Sequence, residues 1–234
     1  MIGKGKSISH GTAALEYDLA KEIDGQTAAI EIARHELYGC TGAEMVQEMK
    51  PYHADFPNVK NNCLRFEVSP SIEESATFTD ADWAELGNDF MQRMGLANHQ
   101  YIIIRHSGTE SKKEQAHLHI LANRVSLSGE LYRDNWIGKK ATEAANAIAK
   151  ERNFVQSQDI GKVNKAEIKE AMDGVLKKMQ GFDFTKFKEE LGKRGFKVRE
   201  ARASTGKLNG YYVTARSGTE YKASEIGKGY TLAH

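Results

Sequence analysis

Two runs, QYIIIRH at residues 100–106 and AHLHILANRV at 116–125, constrain the fold of this chain more than any other feature. Both are rich in the branched and aromatic side chains that suit a pleated strand. The connector between them, SGTESKKEQ, is polar throughout and reads as a loop. Two strands joined in this way pair as an antiparallel hairpin. A third run, NCLRFEVS at 62–69, sets Leu64, Phe66 and Val68 against Cys63, Arg65 and Glu67, and ends at Pro70.

Helical signals lie between and after these strands. Residues 13–22 read as a short helix containing Tyr17, and 42–49 as another, stopped by Pro51. Thr79 caps a helix with Asp82 three residues on, and Trp83, Leu86, Phe90 and Met94 follow at helical spacing up to Gly95. An alanine-rich helix covers 139–152. Beyond a boundary at 155–161, one helix starts at Asn164 and another at Asp183, and two strands at 196–201 and 208–215 flank a turn over Ser204, Thr205, Gly206 and Lys207. Strands interrupted by helices in this order fit an α+β fold better than a doubly wound one.

The 234 residues suffice for one large domain or two small ones. The formal net charge of +1 conceals an asymmetry: residues 1–160 hold 17 Lys and Arg against 23 Asp and Glu, while 161–234 hold 16 against 9, giving −6 and +7. Opposite signs in the two parts point to a nucleic-acid or membrane partner for the basic one. No apolar run approaches the roughly 20 residues of a membrane helix, and the start, MIGKGKSISHG, lacks the apolar core of a signal peptide. The expectation is a cytoplasmic protein with no membrane partner. Cys40 and Cys63 lack metal-ligand spacing and are expected to be reduced thiols.

The chemistry centres on His117, Leu118 and His119. Alternation along a strand puts both imidazoles on one face, where they can chelate a divalent cation. His106 ends the preceding strand and reaches the same face if the two strands pair. Three neutral imidazoles leave coordination positions open, as in a catalytic rather than a structural metal site. The competing reading is that these histidines only pack. Tyr17 is either a core aromatic or a nucleophile activated by its neighbours.

The stretches MIGKGKSISHGTAALEY, NCLRFEVSPSIEE, HQYIIIRH, AHLHILANRV and YRDNWIGKKATEAANAIAKERN, with DFTKFKEELGKRGFKVREARASTGKLNGYYV further on, resemble the relaxase (mobilisation nuclease) family of the HUH endonuclease superfamily. The similarity is greatest to forms carried by mobile elements of Bacteroides-type bacteria and strongest over residues 1–154. The resemblance implies a two-layer sandwich whose central antiparallel sheet carries the His-x-His strand, with a C-terminal helix–hairpin extension. It implies a catalytic domain over 1–160 and a basic DNA-contacting subdomain over 161–234. It further implies a site- and strand-specific nickase acting at an origin of transfer. Tyr17 is then the nucleophile that keeps the 5′ end as a phosphotyrosine, and His106, His117 and His119 hold a divalent metal. Cellular supply favours Mg²⁺ or Mn²⁺, while nitrogen ligands favour later transition metals. The implied partners are single-stranded and hairpin DNA, accessory relaxosome proteins and a secretion coupling protein.

Other residues carry narrower expectations. Glu67 is a candidate general base, a partner of a ligand histidine, or a solvated charge. Asn123 shares the histidine face and is a candidate to bind a DNA phosphate, to orient a ligand, or merely to end its strand. Arg194, Lys197, Arg199, Arg202, Lys207 and Arg216 form a basic group expected to grip phosphates. Tyr38, Tyr52, Tyr211 and Tyr212 are rivals to Tyr17. Two other functions remain open: a three-histidine phosphodiesterase with no covalent intermediate, and a non-catalytic DNA-binding module.

Overall fold

The hairpin becomes the middle of a five-stranded sheet. The computed structural model describes residues 1–23, 25–107, 115–216 and 218–232, so most of the polar connector after His106 lies outside the described residues. The chain divides into two compact units, Met1–Ser157 and Gln158–His234. In the first, β1 (Ile2–Ile8) leads to α1 (Gly11–Leu19), a short β2 (Glu22–Ile23) and β3 (Gln26–Thr27), then β4 (Ala29–His35) and α2 (Gly42–Met49). After a 3-10 turn over Lys50–His53 come β5 (Cys63–Ser69), α3 (Ile72–Ser75), α4 (Asp80–Arg93), β6 (His99–His106), β7 (His117–Ser126) and α5 (Ile137–Glu151). The strand order is β1-β5-β7-β6-β4, and every neighbouring pair is antiparallel.

Alternation decides what each face of this sheet does. Leu64, Phe66, Val68, Ile103, Leu118 and Ile120 face α4 and α5 and form the larger core with Trp83, Leu86, Phe90 and Ala145. Cys63, Ile102, Ile104 and Leu121 face the other way and pack under α1 and α2 with Leu15, Met45 and Met49. The capping pair Thr79–Asp82 forms as the sequence suggests, with Thr79 accepting from the Asp82 amide and Asp82 from the Thr79 amide.

Strands β1 and β4 carry no clear sequence signal. In β1 the glycines mask the pattern, yet contact with α5 requires them. A Cβ on Gly3 would strike the Ala141 carbonyl oxygen and come within 2.6 Å of the Ala145 Cβ, and one on Gly5 would lie 2.8 Å from the Phe66 ring. In β4 a bulge between Glu31 and Ala33 breaks the two-residue period.

The second unit contains α6 (Ser157–Leu176), α7 (Phe184–Lys193), β8 (Lys197–Arg202), β9 (Leu208–Thr214), β10 (Glu220–Lys222), α8 (Ala223–Ile226) and a 3-10 turn over Lys228–Tyr230. The expected hairpin β8–β9 acquires β10 as a third strand, in the order β10-β9-β8. Helix α6 begins at Ser157, not at Asn164 as its apolar stripe suggests. Its buried residues start at Asn164 and continue through Ile168, Ala171, Met172 and Val175, so hydrophobicity does not mark its first turns. Asp183 caps α7 by accepting from the Lys186 amide, and Phe187 and Leu191 sit in the core of this unit with Phe196, Tyr211 and Val213. Among the described residues no helix is long and apolar enough to cross a membrane.

Gly3→Ala is expected to lower the unfolding free energy by about 1–3 kcal/mol through overpacking against α5. Gly192→Ala, in α7 with no atom within 4 Å of the added methyl, should raise it by about 0.5–1 kcal/mol. Urea unfolding of the two variants checks both signs.

Candidate metal centre

The register of β6 on β7 sets His106 directly opposite His117 and Ile104 opposite His119. All three imidazoles therefore emerge on the α1 side of the sheet. One ring nitrogen from each lies within 4.8 Å of the others, the one such group of possible metal ligands among the described residues. The His106 and His119 ring centres are 4.3 Å apart.

Hydrogen bonds assign the ring protons. His117 Nδ1 is 2.9 Å from the Gln115 carbonyl, to which it donates. Its Nε2 then carries a lone pair, 3.1 Å from Nε2 of His119. The Arg65 guanidinium, which can only donate, lies 3.3 Å from His119 Nδ1. His119 thus holds its proton on Nε2, shared towards His117, and a cation at this point would take that proton's place. His106 Nε2 donates to the Asp18 carbonyl at 2.7 Å. Burial pushes the His106 pKa down to about 4. Burial, aided by the neighbouring His106 and His117, pushes that of His119 to about 2. Both rings are neutral near pH 7, the form in which imidazole binds metal.

Asp18 organises this cluster, and the strand patterns gave no hint of it. It is 1% exposed. Its carboxylate takes two bonds from Arg65, one of them 3.1 Å long, and lies 3.7 Å from His119 Nδ1. Burial raises its pKa, and Arg65 opposes the rise. The available sequence signal lay in α1, whose buried positions are Gly11, Ala14, Leu15 and Asp18. A carboxylate in an apolar stripe requires a charged partner.

Tyr17, the residue before Asp18, is 67% exposed, and its hydroxyl has no hydrogen-bond partner among the described residues. It is not a core aromatic. Of its rivals, Tyr38 bonds Glu36 beyond the far end of β4, and Tyr211 is buried with its hydroxyl on the Tyr230 carbonyl. Arg199 stacks on Tyr212 in the second unit. Glu67 pairs in register with His119 and shares its face, but its carboxylate bonds Lys4 at 2.8 Å and no histidine. A cavity of about 210 Å³ beside His119 is lined by Lys4, Lys6, Arg65 and Glu67.

Two expectations require correction. Asn123 does share the histidine face, but it is fully buried. It binds His53, Gln100, the Met49 carbonyl and the Val125 amide. With its donors and acceptors used inside the protein, it cannot reach DNA. In the second unit several of the basic residues are occupied. Arg194 bonds the Ala171 and Gly174 carbonyls. Arg199 pairs with Glu220, Arg202 with Glu200, and Arg216 reaches the Arg194 carbonyl while lying over Phe196. Lys197 and Lys207 are exposed and form no ion pair among the described residues.

Residues 17–154 match the sequence model of the family described as relaxase, MobA/VirD2-like, nuclease domain. No curated protein matches the chain. Among solved structures, the metal-bound conjugative relaxase TrwC in complex with oriT DNA aligns at 12% identity, covering 88% of this chain and 74% of that one, with a TM-score of 0.36. The metal-free TrwC complex aligns at 10% identity with the same coverages and a TM-score of 0.39.

The depressed histidines predict a pH effect on the metal-free protein. Between the ordinary value of 6.5 and about 4, the unfolded chain binds protons at His106 that the folded chain does not. Stability is therefore fully present above pH 6.5 and declines as the pH falls through this window. Urea midpoints measured from pH 7 to 5 should fall, and His106→Gln should flatten the slope.

Proposed function

Because the chain belongs to the relaxase family, matching its MobA/VirD2-like nuclease domain over residues 17–154, we propose that it nicks and rejoins one strand of DNA at the origin of transfer of a mobile element, through a covalent bond to Tyr17. The observation that carries this reading is the placement of Tyr17. An exposed tyrosine precedes the residue whose carbonyl holds His106 and whose carboxylate lies beside His119. Nucleophile and candidate metal ligands thus share one short helix-to-sheet contact.

In this mechanism the Tyr17 oxygen forms a bond to the scissile phosphorus. The bond from phosphorus to the 3′ oxygen breaks, the 3′ oxygen takes up a proton, and the 5′ phosphate stays on the tyrosine. Attack by the 3′ hydroxyl reverses the step and reseals the strand. A divalent cation held by His106, His117 and His119 would neutralise phosphate charge that otherwise repels the nucleophile. Three imidazoles suit Mn²⁺ or a later transition ion better than Mg²⁺, which prefers oxygen ligands. Arg65, fixed by Asp18, places a permanent positive charge beside the same phosphate. Glu67, held on this face by Lys4, is the proposed acceptor of the phenolic proton. Lys197 and Lys207 of the second unit would contact the DNA backbone. Accessory relaxosome proteins and a secretion coupling protein are the further partners of this role.

Saturating Mn²⁺ at 100 times its dissociation constant should stabilise the fold by about 2.7 kcal/mol, and His119→Ala should remove that gain. Incubation with Mn²⁺ and a single-stranded origin oligonucleotide should yield a covalent protein–DNA adduct that survives denaturation and disappears with Tyr17→Phe. Cleavage without an adduct would identify a phosphodiesterase. DNA binding with no cleavage would identify a binding module.

A further inference from the structure

The loop before α5 holds a residue that packing does not explain. Trp136 is 81% exposed, and its backbone is left-handed, with φ of 58°. A bulky residue is strained in that region, where glycine or asparagine fits. Its indole N–H has no partner among the described residues. An exposed aromatic held under strain lowers stability without any return in packing, and such strain marks functional positions.

The surroundings hold Trp136 in place. Arg124 ties the loop together, bonding the Tyr132 carbonyl at 3.1 Å, the Asn61 carbonyl at 2.9 Å and the Asp134 carboxylate at 2.6 Å. The Ile137 amide donates to the Asp134 carbonyl, and Ile137 is buried next to the tryptophan. The ring is presented on a fixed loop.

Charge indicates what the ring would meet. Arg133 and Lys139 are exposed on either side of Trp136, and Lys140 bonds the Arg133 carbonyl. The first turn of α5 lies on edge strand β1, where a Cβ on Gly138 would be 3.5 Å from the Gly5 carbonyl. On either side of Gly5, Lys4 and Lys6 turn to the histidine face. In register, Lys4 opposes Glu67 and Glu67 opposes His119. Two strand spacings, about 10 Å, thus separate the histidines from a lysine rim, and the helix that begins directly after Trp136 lies against the other face of that edge strand. Lys4 is paired with Glu67 and Lys139 lies 3.7 Å from Glu143, so among the described residues the unpaired cations here are Lys6 and Arg133, in a part of the chain whose net charge is negative.

We propose that Trp136 is a stacking platform for an unpaired base of single-stranded DNA whose backbone crosses the Lys4–Lys6 edge towards the histidine cluster. The inference rests on the reading of this chain as a DNA nickase, but it concerns binding and not cleavage. Aromatic stacking tolerates any base and needs that base unpaired, so the site distinguishes single strands from duplex.

The chain supplies its own reporter, because its only other tryptophan, Trp83, is 2% exposed. Adding a single-stranded oligodeoxythymidylate without metal should quench Trp136 emission, and a duplex of mixed sequence should not. Trp136→Ala should weaken single-strand binding by about 5- to 100-fold. Trp136→Asn should weaken it similarly while raising the urea midpoint, since asparagine accepts the left-handed backbone; that pairing separates a functional residue from a merely structural one. Unchanged affinity in both variants, or equal quenching by duplex, overturns the proposal. Because quenching is read without metal, wild-type protein that quenches but forms no adduct when Mn²⁺ is added would refute the nickase reading and leave the stacking site standing.

Discussion

The antiparallel pairing of β6 with β7 is the interaction on which the rest of this structure depends. Its register places His106 against His117. A shift of one residue would turn His106 to the opposite face, into the core under α4 and α5. The same alternation that buries Ile103, Leu118 and Ile120 on one side fixes the three imidazoles on the other. Apolar packing therefore specifies the geometry of a polar site. The sheet has little freedom to slip here, because β6 is buried over nearly its whole length and β7 over most of its own.

Around this frame the protein places charge where burial makes it costly. Asp18 is removed from water and needs Arg65, and that pair contacts His119. Breaking a buried pair by deleting one partner typically costs about 3–5 kcal/mol, so this contact ties α1 firmly to the sheet. Tyr17 is positioned by its sequence neighbour while remaining free itself. An exposed side chain on a helix anchored through the adjacent residue stays accessible without giving up its placement.

Trp136 shows the opposite compromise. Its loop is held by Arg124, and its backbone is strained. Nothing in the core benefits. The first unit thus combines a rigid, well-packed sheet with exposed aromatic side chains, Tyr17 and Trp136 among them, both held by neighbours that are themselves buried or bonded.

Much of this was legible in the sequence. The alternation of 62–69 and the branched, apolar runs at 100–106 and 116–125 located three of the five strands, and the His-x-His spacing gave the face on which the histidines lie, because strand preference and side-chain alternation are local properties. The caps at Thr79 and Asp183 were legible for the same reason: each bond closes within three residues. Strand β1 was not, since its glycines answer to Ala141 and Ala145, far away in the chain. Asn123 looked available because it alternates with His119; only the tertiary fold brings His53, Gln100 and Met49 onto it and seals it. The basic residues near the C-terminus likewise looked like a free patch until Glu200, Glu220 and the carbonyls of α6 were found to occupy their guanidinium groups. The sequence by itself determined three of the five central strands, the histidine face and the candidate nucleophile. Only the tertiary structure decided which charges are spent inside the protein, because that depends on contacts between residues remote in the chain.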